Sequence, residues 1–449
     1  MSKKILVAGG GHGGIAAAAL LSKVGYDVTV FERAEEGKLG YDWTDIFSPR
    51  AWAAAGIGMP PQETFEIKED MTFYSPNLRI PIRQNIPEDE LEIKMERTDI
   101  YDHLIEHANK HKVKFEYACE VKGPIMAGNR VVGLKTAKGN FYGDLIIDAA
   151  GVNSPVRAKL PAACQIESMP AKFEVLYAYR AFYDKPQGVK EDAKYKVFLL
   201  PRGEKGVAWV ATEGDDYSDL LIGKFEPFGE DEVESLADYL REVNPWLGKN
   251  LLRGGQFVQI PIRQPLAVMV CDGYAAIGDS AFMTIPIIGS GIANTFKAAG
   301  FLTQTILEDS AEAFSADSLW PYQARYFKEI GAGLAQIACL KNMLFNVTPQ
   351  ELDYCFEEGI LTARDLALGS DSINLSALFR MSPTKAKHRL KALKNNPPLF
   401  KKVLGLAANM AKVTLITAQM PKRRESFKVA KWSNKYRKFY FDLLREIDM

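Results

Sequence analysis

The segment KILVAGGGHGGIAAAALLSKVGYDVTVFER, residues 4–33, decides the architecture of this chain of 449 residues. It runs from a short apolar stretch through a glycine-rich turn and an alanine-rich helical pattern to a second apolar stretch that ends at Glu32. Gly9, Gly11 and Gly14 have the spacing G-x-G-x-x-G, which allows a tight turn, close approach of a diphosphate and close helix–strand packing. The pattern therefore predicts a dinucleotide-binding strand–helix–strand unit. The Glu32 carboxylate can accept hydrogen bonds from ribose hydroxyls but would repel a 2′-phosphate.

A second glycine-rich turn follows almost 280 residues later, in GDSAFMTIPIIGSGIANTFKAAG, residues 278–300. It comes directly after the apolar run of DGYAAIGD and leads into a clear helical pattern. No further strand ending in an acid follows this helix, so a second dinucleotide domain is not expected. We interpret the turn as the far half of the first site, with free N–H groups at the start of the helix. Its candidate residues are Asp279, Pro286, Gly289, Gly291 and Ile292.

Composition places the chain among ordinary globular proteins, with 47% apolar and 25% charged residues. The five cysteines include no Cys-x-x-Cys pair, which argues against a disulfide framework, a zinc ribbon or an iron–sulfur cluster and fits a reducing compartment. Glycines interrupt the apolar start of the chain, so it does not resemble a signal peptide. The longest apolar stretch near the end contains Lys412. We therefore expect a cytoplasmic protein without a transmembrane helix.

The intervening sequence alternates like an antiparallel sheet, and the chain reads as helical from about residue 316 onward. The sequence thus predicts an α/β fold: a Rossmann-type cofactor domain with an inserted antiparallel β-sheet substrate domain and a helical C-terminal region. The cofactor domain is assigned to residues 1–70, 95–168 and 264–335, the substrate domain to 71–94 and 169–263, and the helical, basic region to 336–449.

Four motifs occur in the order used by one group of flavoproteins: the glycine loop with FER, then MERTDIYDHL, DAAGVNSPVR, and GD followed by PxxGxGxxN. Over roughly residues 3–310 the chain resembles FAD-dependent oxidoreductases of the aromatic-hydroxylase superfamily. DAAGVNSPVR and ERTDIYDHLIEHA are most similar to the geranylgeranyl reductase branch. The chain departs from that branch in two places, since the loop LGYDWTDIFSP has no cysteine and KVFLLPR stands where a Tyr-x-Trp-x-Phe-Pro motif is common.

The resemblance implies FAD as the cofactor. It implies that Arg97 contacts the diphosphate region, that Asp148 and Gly151 form a second nucleotide-facing motif, and that Asp279 holds the ribityl chain. Together, motifs and resemblance assign the cofactor site to Gly9, Gly11, His12, Gly13, Gly14, Glu32, Arg33, Arg97, Val121, Asp148, Gly151, Asp279, Pro286, Gly289, Gly291 and Ile292.

The catalytic candidates are Asp42, Trp43 and Asp45, in a loop that the family places near the isoalloxazine ring. Two acids beside a tryptophan could supply a proton donor and a stacking wall; the alternative is a capped loop around a core tryptophan. Histidines at 103, 107 and 111 have helical spacing, but they flank a buried stripe, and we expect no metal site. Aromatic residues of the inserted sheet could line a pocket for a small apolar substrate.

Three activities remain open at this stage. The first is reduction of a carbon–carbon double bond of an apolar, isoprenoid-like substrate by hydride transfer from reduced FAD. The second is a flavin monooxygenase that hydroxylates an aromatic or apolar substrate. The third is an electron-transfer flavoprotein without a small substrate of its own. The chain has one dinucleotide fingerprint, so the reductant is expected to bind transiently, and the choice between NAD(P)H and a ferredoxin stays open.

The C-terminal region is strongly basic: from Arg380 to Lys438 there are 17 Lys and Arg residues and one acid, Glu425. Its amphipathic stretches favour docking on an anionic membrane surface, as a peripheral protein on the inner face. A salt-bridged lid against the acidic body and a subunit interface are the alternatives. Nucleic acid is not an expected partner, because the basic residues adjoin no recognised binding fold.

Overall fold

A computed structural model describes residues 2–170, 173–213, 217–366 and 382–447. Its strands are β1 Lys4–Ala8, β2 Asp27–Phe31, β3 Thr44–Phe47, β4 Phe65–Ile67, β5 Thr72–Tyr74, β6 Ile82–Arg83, β7 Ile93–Glu96, β8 Lys114–Glu116, β9 Val121–Ala127, β10 Arg130–Thr136, β11 Gly139–Tyr142, β12 Leu145–Asp148, β13 Val175–Asp184, β14 Tyr195–Leu199, β15 Gly206–Glu213, β16 Tyr217–Lys224, β17 Leu251–Pro261, β18 Val270–Cys271 and β19 Tyr274–Ala276.

The α-helices are α1 His12–Lys23, α2 Arg50–Ala54, α3 Arg97–Lys110, α4 Glu230–Val243, α5 Ile292–Glu308, α6 Ala316–Tyr326, α7 Ala332–Phe345, α8 Pro349–Glu357, α9 Ala363–Leu366, α10 Pro383–Asn395, α11 Pro397–Ala418 and α12 Ser426–Arg445. A π-helical turn, Phe327–Gly331, joins α6 to α7. Short 3-10 turns lie at Gln62–Thr64, Glu88–Glu90, Arg157–Lys159, Ala162–Cys164, Pro201–Gly203 and Gly278–Ala281.

The first sheet has the strand order β18-β19-β12-β1-β2-β8. Its central strand β1 pairs in parallel with β2 on one side and β12 on the other. Four of the five residues of β1 are buried, as expected for a strand covered by helices on both faces. The late strand β19 joins β12 in parallel, so residues almost 270 positions after β1 complete the same sheet. The predicted Rossmann-type architecture is confirmed.

The second large sheet has seven strands, in the order β17-β13-β16-β15-β14-β5-β6. Most of its pairs are antiparallel; the pair β14–β5 is parallel. All of its strands fall within the segments that the sequence assigned to the substrate domain, although the exact domain boundaries stay a prediction. Helix α4 buries Val233, Leu236 and Leu240 with the apolar residues of one sheet face, so this sheet has its own core.

The C-terminal helices pack against the body through α7, which lies on α11. Helices α11 and α12 run antiparallel: Trp432 Nε1 donates to the Ile416 carbonyl at 2.8 Å, and the Lys412 ammonium lies 5.3 Å from the Phe439 ring centre. Within the described ranges, no single helix has the length and apolar character to cross a membrane. One bent pair, Ala316–Phe345 with Pro349–Glu357 at 111°, passes by length and composition alone.

Candidate functional site

The glycine loop after β1 has the geometry that its sequence spacing predicts. Gly9 has φ +93°, a left-handed conformation that favours glycine, and a Cβ there would lie 2.5 Å from the Ala149 carbonyl oxygen. A Cβ on Gly14 would lie 2.5 Å from the Gly9 carbonyl oxygen, and one on Gly13 would lie 2.2 Å from Thr295 Cγ2 of α5. Neighbouring atoms therefore leave no space for side chains at these glycines, and the start of α1 faces the cavity.

The Glu32 carboxylate fixes this loop to the end of β2. Its Oε2 accepts a hydrogen bond from the Gly10 N–H at 2.7 Å, and its Oε1 accepts one from the Ala34 N–H at 2.8 Å. Glu32 also lines the adjacent cavity. Because each carboxylate oxygen has more than one lone-pair direction, Glu32 can hold the loop and accept ribose hydroxyls at the same time.

A cavity of about 1560 Å³ extends from the glycine loop into the seven-stranded sheet and on to the C-terminal helices. Pockets for a single small ligand are typically about 300–1,000 Å³. The cavity therefore has room for a dinucleotide and a second molecule. We call its part along the glycine loops the dinucleotide arm, and its part between the sheet and the C-terminal helices the apolar arm.

All but three of the residues predicted for the site line this cavity. The exceptions are Gly14, Asp42 and Asp148. The residues that do line it are Gly9, Gly11, His12, Gly13, Glu32, Arg33, Trp43, Asp45, Arg97, Val121, Gly151, Asp279, Pro286, Gly289, Gly291 and Ile292. Both glycine-rich turns face one space, which agrees with the interpretation of the second turn as the far half of the first site.

Asp148 lies behind the cavity wall and is fully buried. Its Oδ2 accepts hydrogen bonds from Ser154 Oγ at 2.6 Å and from the Tyr274 hydroxyl at 2.8 Å. Its Oδ1 accepts from Ser280 Oγ and from the Ala150 N–H, each at 3.1 Å. With four protein donors already bound, Asp148 ties β12, β19 and the second glycine-rich turn together instead of contacting a cofactor.

Arg97 and Asp45 form a bidentate ion pair on the cavity wall. Arg97 Nε donates to Asp45 Oδ2 and Nη2 donates to Oδ1, both at 2.6 Å. Burial acts to raise the pKa of Asp45, but the charge and hydrogen bonds of Arg97 outweigh it and hold that pKa below its usual value. Asp45 is therefore ionised at neutral pH, which makes it a group that positions Arg97 and a poor proton donor.

Trp43 lies between two guanidinium groups. The centre of its ring is 5.4 Å from the guanidinium carbon of Arg97 and 5.7 Å from that of Arg180. Its side chain is buried and lines the cavity. Arg180 is itself fixed by Asp219, at 2.9 Å from Nε to Oδ1, and by Thr44. Trp43 is thus packed between two arginines on the cavity wall.

Asp42 points away from the cavity and is exposed. Its carboxylate accepts hydrogen bonds from the Arg253 guanidinium and, at 3.1 Å, from the Gly254 N–H. Arg253 also donates to Glu96 Oε1 at 2.7 Å. These hydrogen bonds hold the loop of Asp42 against β17. Of the three predicted catalytic residues, Trp43 and Asp45 face the cavity and Asp42 does not.

His12 supplies a test of whether the dinucleotide arm fits a cofactor. Its ring stacks on Tyr101 at 4.5 Å between ring centres, and its buried Nε2 has no hydrogen-bond partner within the described part of the chain. Burial, reinforced by the charge of Arg97, lowers the pKa of His12 to about 4. A neutral imidazole with an unpaired nitrogen beside the open start of a helix matches a polar, phosphate-bearing ligand.

Asp279, on the second glycine-rich turn, also faces the dinucleotide arm. Its Oδ1 accepts a hydrogen bond from Thr284 Oγ1 at 2.8 Å. Burial raises the pKa of Asp279, although the Thr284 hydrogen bond and two arginines oppose that effect. The second oxygen of its carboxyl group remains available for a ligand hydroxyl, as the resemblance implies.

The apolar arm is walled largely by residues that the sequence did not single out. On α7, Leu340, Lys341, Leu344 and Phe345 share one face toward it, and the Phe345 ring packs 3.9 Å from that of Phe225. Helical periodicity predicted the helix but not which of its faces would meet the sheet. The other apolar residues of this arm include Leu176, Val197, Leu199, Leu200, Val207, Leu221, Phe225, Ile260, Val347, Leu352 and Leu361.

Lys341 is the one charged residue on that face of α7, and it is 4% exposed. Its ammonium donates to the Phe173 carbonyl at 3.0 Å. Burial lowers the pKa of Lys341 to about 7, with Glu174 acting in the opposite direction. The face of α7 that lines the apolar arm therefore carries no more than one charge.

Comparison with known proteins agrees with this geometry. Residues 7–49 match the model of the NAD(P)-binding Rossmann-like domain. The chain is 23% identical over 436 residues to a digeranylgeranylglycerophospholipid reductase of Sulfolobus acidocaldarius, covering 94% of each chain.

Two solved structures share the fold. A geranylgeranyl bacteriochlorophyll reductase-like protein from Thermoplasma acidophilum superposes with a TM-score of 0.71 at 20% identity, over 90% of this chain and 99% of the other. A probable FAD-dependent monooxygenase from Pseudomonas aeruginosa gives a TM-score of 0.58 at 19% identity, over 80% of this chain and all of the other.

These comparisons confirm the resemblance to FAD-dependent oxidoreductases and, within them, to the geranylgeranyl reductase branch. They support an enzyme with FAD as its cofactor. The residues present fit that group: the glycine loop and Glu32 would hold its adenosine half, and Arg97 and Asp279 would hold the part nearer the flavin.

Proposed function

We propose that this protein reduces carbon–carbon double bonds in the isoprenoid chains of a lipid, using FAD. The observation that carries the proposal is the continuity of the dinucleotide arm with a long apolar arm in one cavity of about 1560 Å³. The relative from Sulfolobus, matched over 94% of this chain, is named for reduction of such a lipid.

Reduced FAD, when bound, supplies a hydride to one carbon of the double bond. The chain's own residues bind and orient the two partners. Trp43, packed between Arg97 and Arg180 on the cavity wall, limits how a substrate chain can enter the dinucleotide arm. The apolar arm shields the remainder of the substrate's isoprenoid chain from water. Each methylene buried there contributes about 0.8 kcal/mol to substrate binding.

The proton for the other carbon needs a donor that holds a proton at neutral pH. Asp45 does not meet this requirement, because Arg97 keeps it ionised. Asp279 retains its proton to higher pH than an ordinary aspartate, since burial raises its pKa. Because Asp279 is assigned to hold the part of the cofactor nearer the flavin, a water molecule is the proton source that fits the site.

The proposal is tested by incubating the FAD-loaded protein with dithionite and a digeranylgeranylglycerophospholipid under anaerobic conditions, and then measuring the lipid by mass spectrometry. We expect products heavier by two hydrogen atoms for each double bond reduced, and no such products from protein stripped of FAD. Unchanged lipid, together with oxygen-dependent hydroxylation when air is admitted, would instead indicate a monooxygenase.

A further inference from the structure

Helix α12 presents a basic stripe to solvent. Its exposed positions include Lys428, Lys431, Lys435 and Lys438, which fall within one arc of the helix at about 100° per residue. The adjacent face buries Val429, Trp432, Tyr436, Phe439, Tyr440 and Leu443 in the protein core. The stripe is therefore a fixed surface of a folded helix.

Exposed apolar side chains frame the stripe. Phe427 at its start is 79% exposed, and Phe441 near its end is 54% exposed. On the neighbouring helix α11, Leu404 is 55% exposed and Leu415 is 65% exposed. Large apolar side chains among exposed lysines are characteristic of a helix that lies at a lipid–water interface, whereas a surface that only needs solubility avoids them.

Most of the described basic residues between Arg380 and Lys438 do not contact the acidic body of the protein. Among its 16 described Lys and Arg residues, four pair with carboxylates of the body: Arg389 with Asp365, Lys402 with Glu351, Arg424 with Asp317 and Arg437 with Glu167. Lys428 and Lys438 pair locally with Glu425 and Asp442. The remaining ten are exposed and have no carboxylate within 4.0 Å in the described ranges: Lys385, Lys387, Lys391, Lys394, Lys401, Lys412, Lys422, Arg423, Lys431 and Lys435.

The contacts of these basic residues distinguish membrane docking from a salt-bridged lid and from nucleic-acid binding. A lid held by salt bridges would place most of these cations against the body, but only four make such contacts. Nucleic-acid binding would not require exposed phenylalanines and leucines beside the lysines. An anionic membrane accounts for both the free positive charge and the exposed apolar groups.

Helices α10 and α11 of the basic region adjoin the apolar arm of the cavity. Lys402 of α11 pairs with Glu351 of α8 at 2.5 Å, and the Tyr354 hydroxyl of α8 donates to the Ala392 carbonyl of α10 at 2.8 Å. Leu352 of α8 and Leu344 of α7 line the apolar arm. The basic helices thus pack directly on the walls of the space where a lipid chain would lie.

We propose that the exposed face of α12, with the adjoining face of α11, docks the protein on an anionic lipid bilayer and brings the apolar arm to its lipid substrate. The docking itself stands on charge and exposure alone; its role in substrate delivery rests on the function proposed above. Each Lys or Arg near an anionic leaflet contributes about 1 kcal/mol, so the four lysines of the stripe suffice for reversible binding.

The test measures co-flotation of the FAD-loaded protein with phosphatidylglycerol vesicles and with phosphatidylcholine vesicles. We expect binding to the anionic vesicles only, weakening steeply as salt is added. The variant K431E/K435E/K438E should lose at least about tenfold in vesicle partition, given about 1 kcal/mol per lysine. The control K135E/K190E/K249E makes the same change in net charge at exposed lysines outside the basic region and should bind like the wild type.

A second variant, F427S/F441S, tests the apolar contribution without changing charge and should also bind more weakly. Flavin absorbance and the unfolding midpoint confirm that each variant is folded. Equal flotation of the stripe variant and its control, or equal binding to both vesicle types, overturns the docking proposal. Because flotation is measured without turnover, and reduction of a detergent-dispersed lipid is measured without a membrane, failure of one does not imply failure of the other.

Discussion

Glu32 performs two tasks with one carboxylate, since it binds the N–H groups of Gly10 and Ala34 and faces the dinucleotide arm. Replacing Glu32 with alanine leaves those two donors unpaired and removes the acceptor for the ribose hydroxyls. We expect FAD to bind more weakly by about 1–3 kcal/mol, the typical cost of leaving buried polar groups unsatisfied. Flavin fluorescence titration measures this loss, and an unchanged affinity would show that Glu32 does not contact the cofactor.

His12 gives the protein without cofactor a specific pH dependence. Its pKa is about 4 in the folded chain and about 6.5 when unfolded, so the folded state binds fewer protons between these values. The stability of the wild type relative to H12Q should therefore fall as the pH drops from about 6.5 to about 4, by up to roughly 3 kcal/mol.

Urea unfolding of the two apoproteins at several pH values measures this difference. Parallel stability profiles across that window would mean that His12 is not a buried neutral imidazole.

Trp43 is expected to affect catalysis more than cofactor binding. It lines the cavity between Arg97 and Arg180, while the contacts assigned to the adenosine half lie at the glycine loop. In the variant W43A we expect flavin content close to that of the wild type and a turnover lower by about tenfold or more, because the substrate is less well oriented. Loss of flavin in proportion to activity would assign Trp43 to cofactor binding.

At the scale of elements, the packing of α1 on α5 depends on the absence of a side chain at Gly13. A Cβ there would lie 2.2 Å from Thr295 Cγ2, so G13A should destabilise the protein by about 1–3 kcal/mol through overpacking. The double variant G13A/T295S removes the clashing methyl group and should recover most of that loss. Thermal unfolding compares the four proteins, and failure of T295S to rescue G13A would place the strain elsewhere.

The sequence predicted secondary-structure elements correctly where local patterns determine them. The helix predicted for residues 98–112 is observed at Arg97–Lys110, and the capping box at Thr348 and Glu351 begins α8. The contacts that define the site are instead long-range. Arg97 pairs with Asp45 across 52 positions, and Arg253 pairs with Asp42 across 211. No local pattern distinguishes the acid that faces the cavity from the one that faces solvent.

At the scale of the whole molecule, the length of the apolar arm should select the length of the substrate chain. Leu344 of α7 lines this arm and is part-buried, so L344W fills space that a long isoprenoid chain would use. We expect kcat/KM to fall about tenfold or more for a geranylgeranyl lipid, the loss corresponding to about two displaced methylenes, and to change little for a short prenyl substrate. The short substrate serves as the internal control, and equal losses for both would indicate a general disturbance of the fold.

The arrangement of the whole molecule also explains why the sequence does not identify the residues that bind the substrate. The motifs for the dinucleotide arm are compact, because phosphate and ribose contacts need glycines and acids at fixed spacing. The apolar arm is assembled from strands of the inserted sheet and from α7 and α8, and its leucines and phenylalanines look like any other core residues in the sequence.

In the activity proposed for this protein, the reduced flavin passes its electrons to a carbon–carbon double bond. The most direct test is to photoreduce the FAD-loaded protein anaerobically and follow flavin absorbance after mixing with a geranylgeranyl lipid or with its fully saturated counterpart. We expect rapid return of the oxidised flavin spectrum with the unsaturated lipid, stoichiometric with double bonds lost, and no return with the saturated one. Reoxidation that occurs only after oxygen is admitted, and equally with both lipids, would show that the double bond does not accept the electrons.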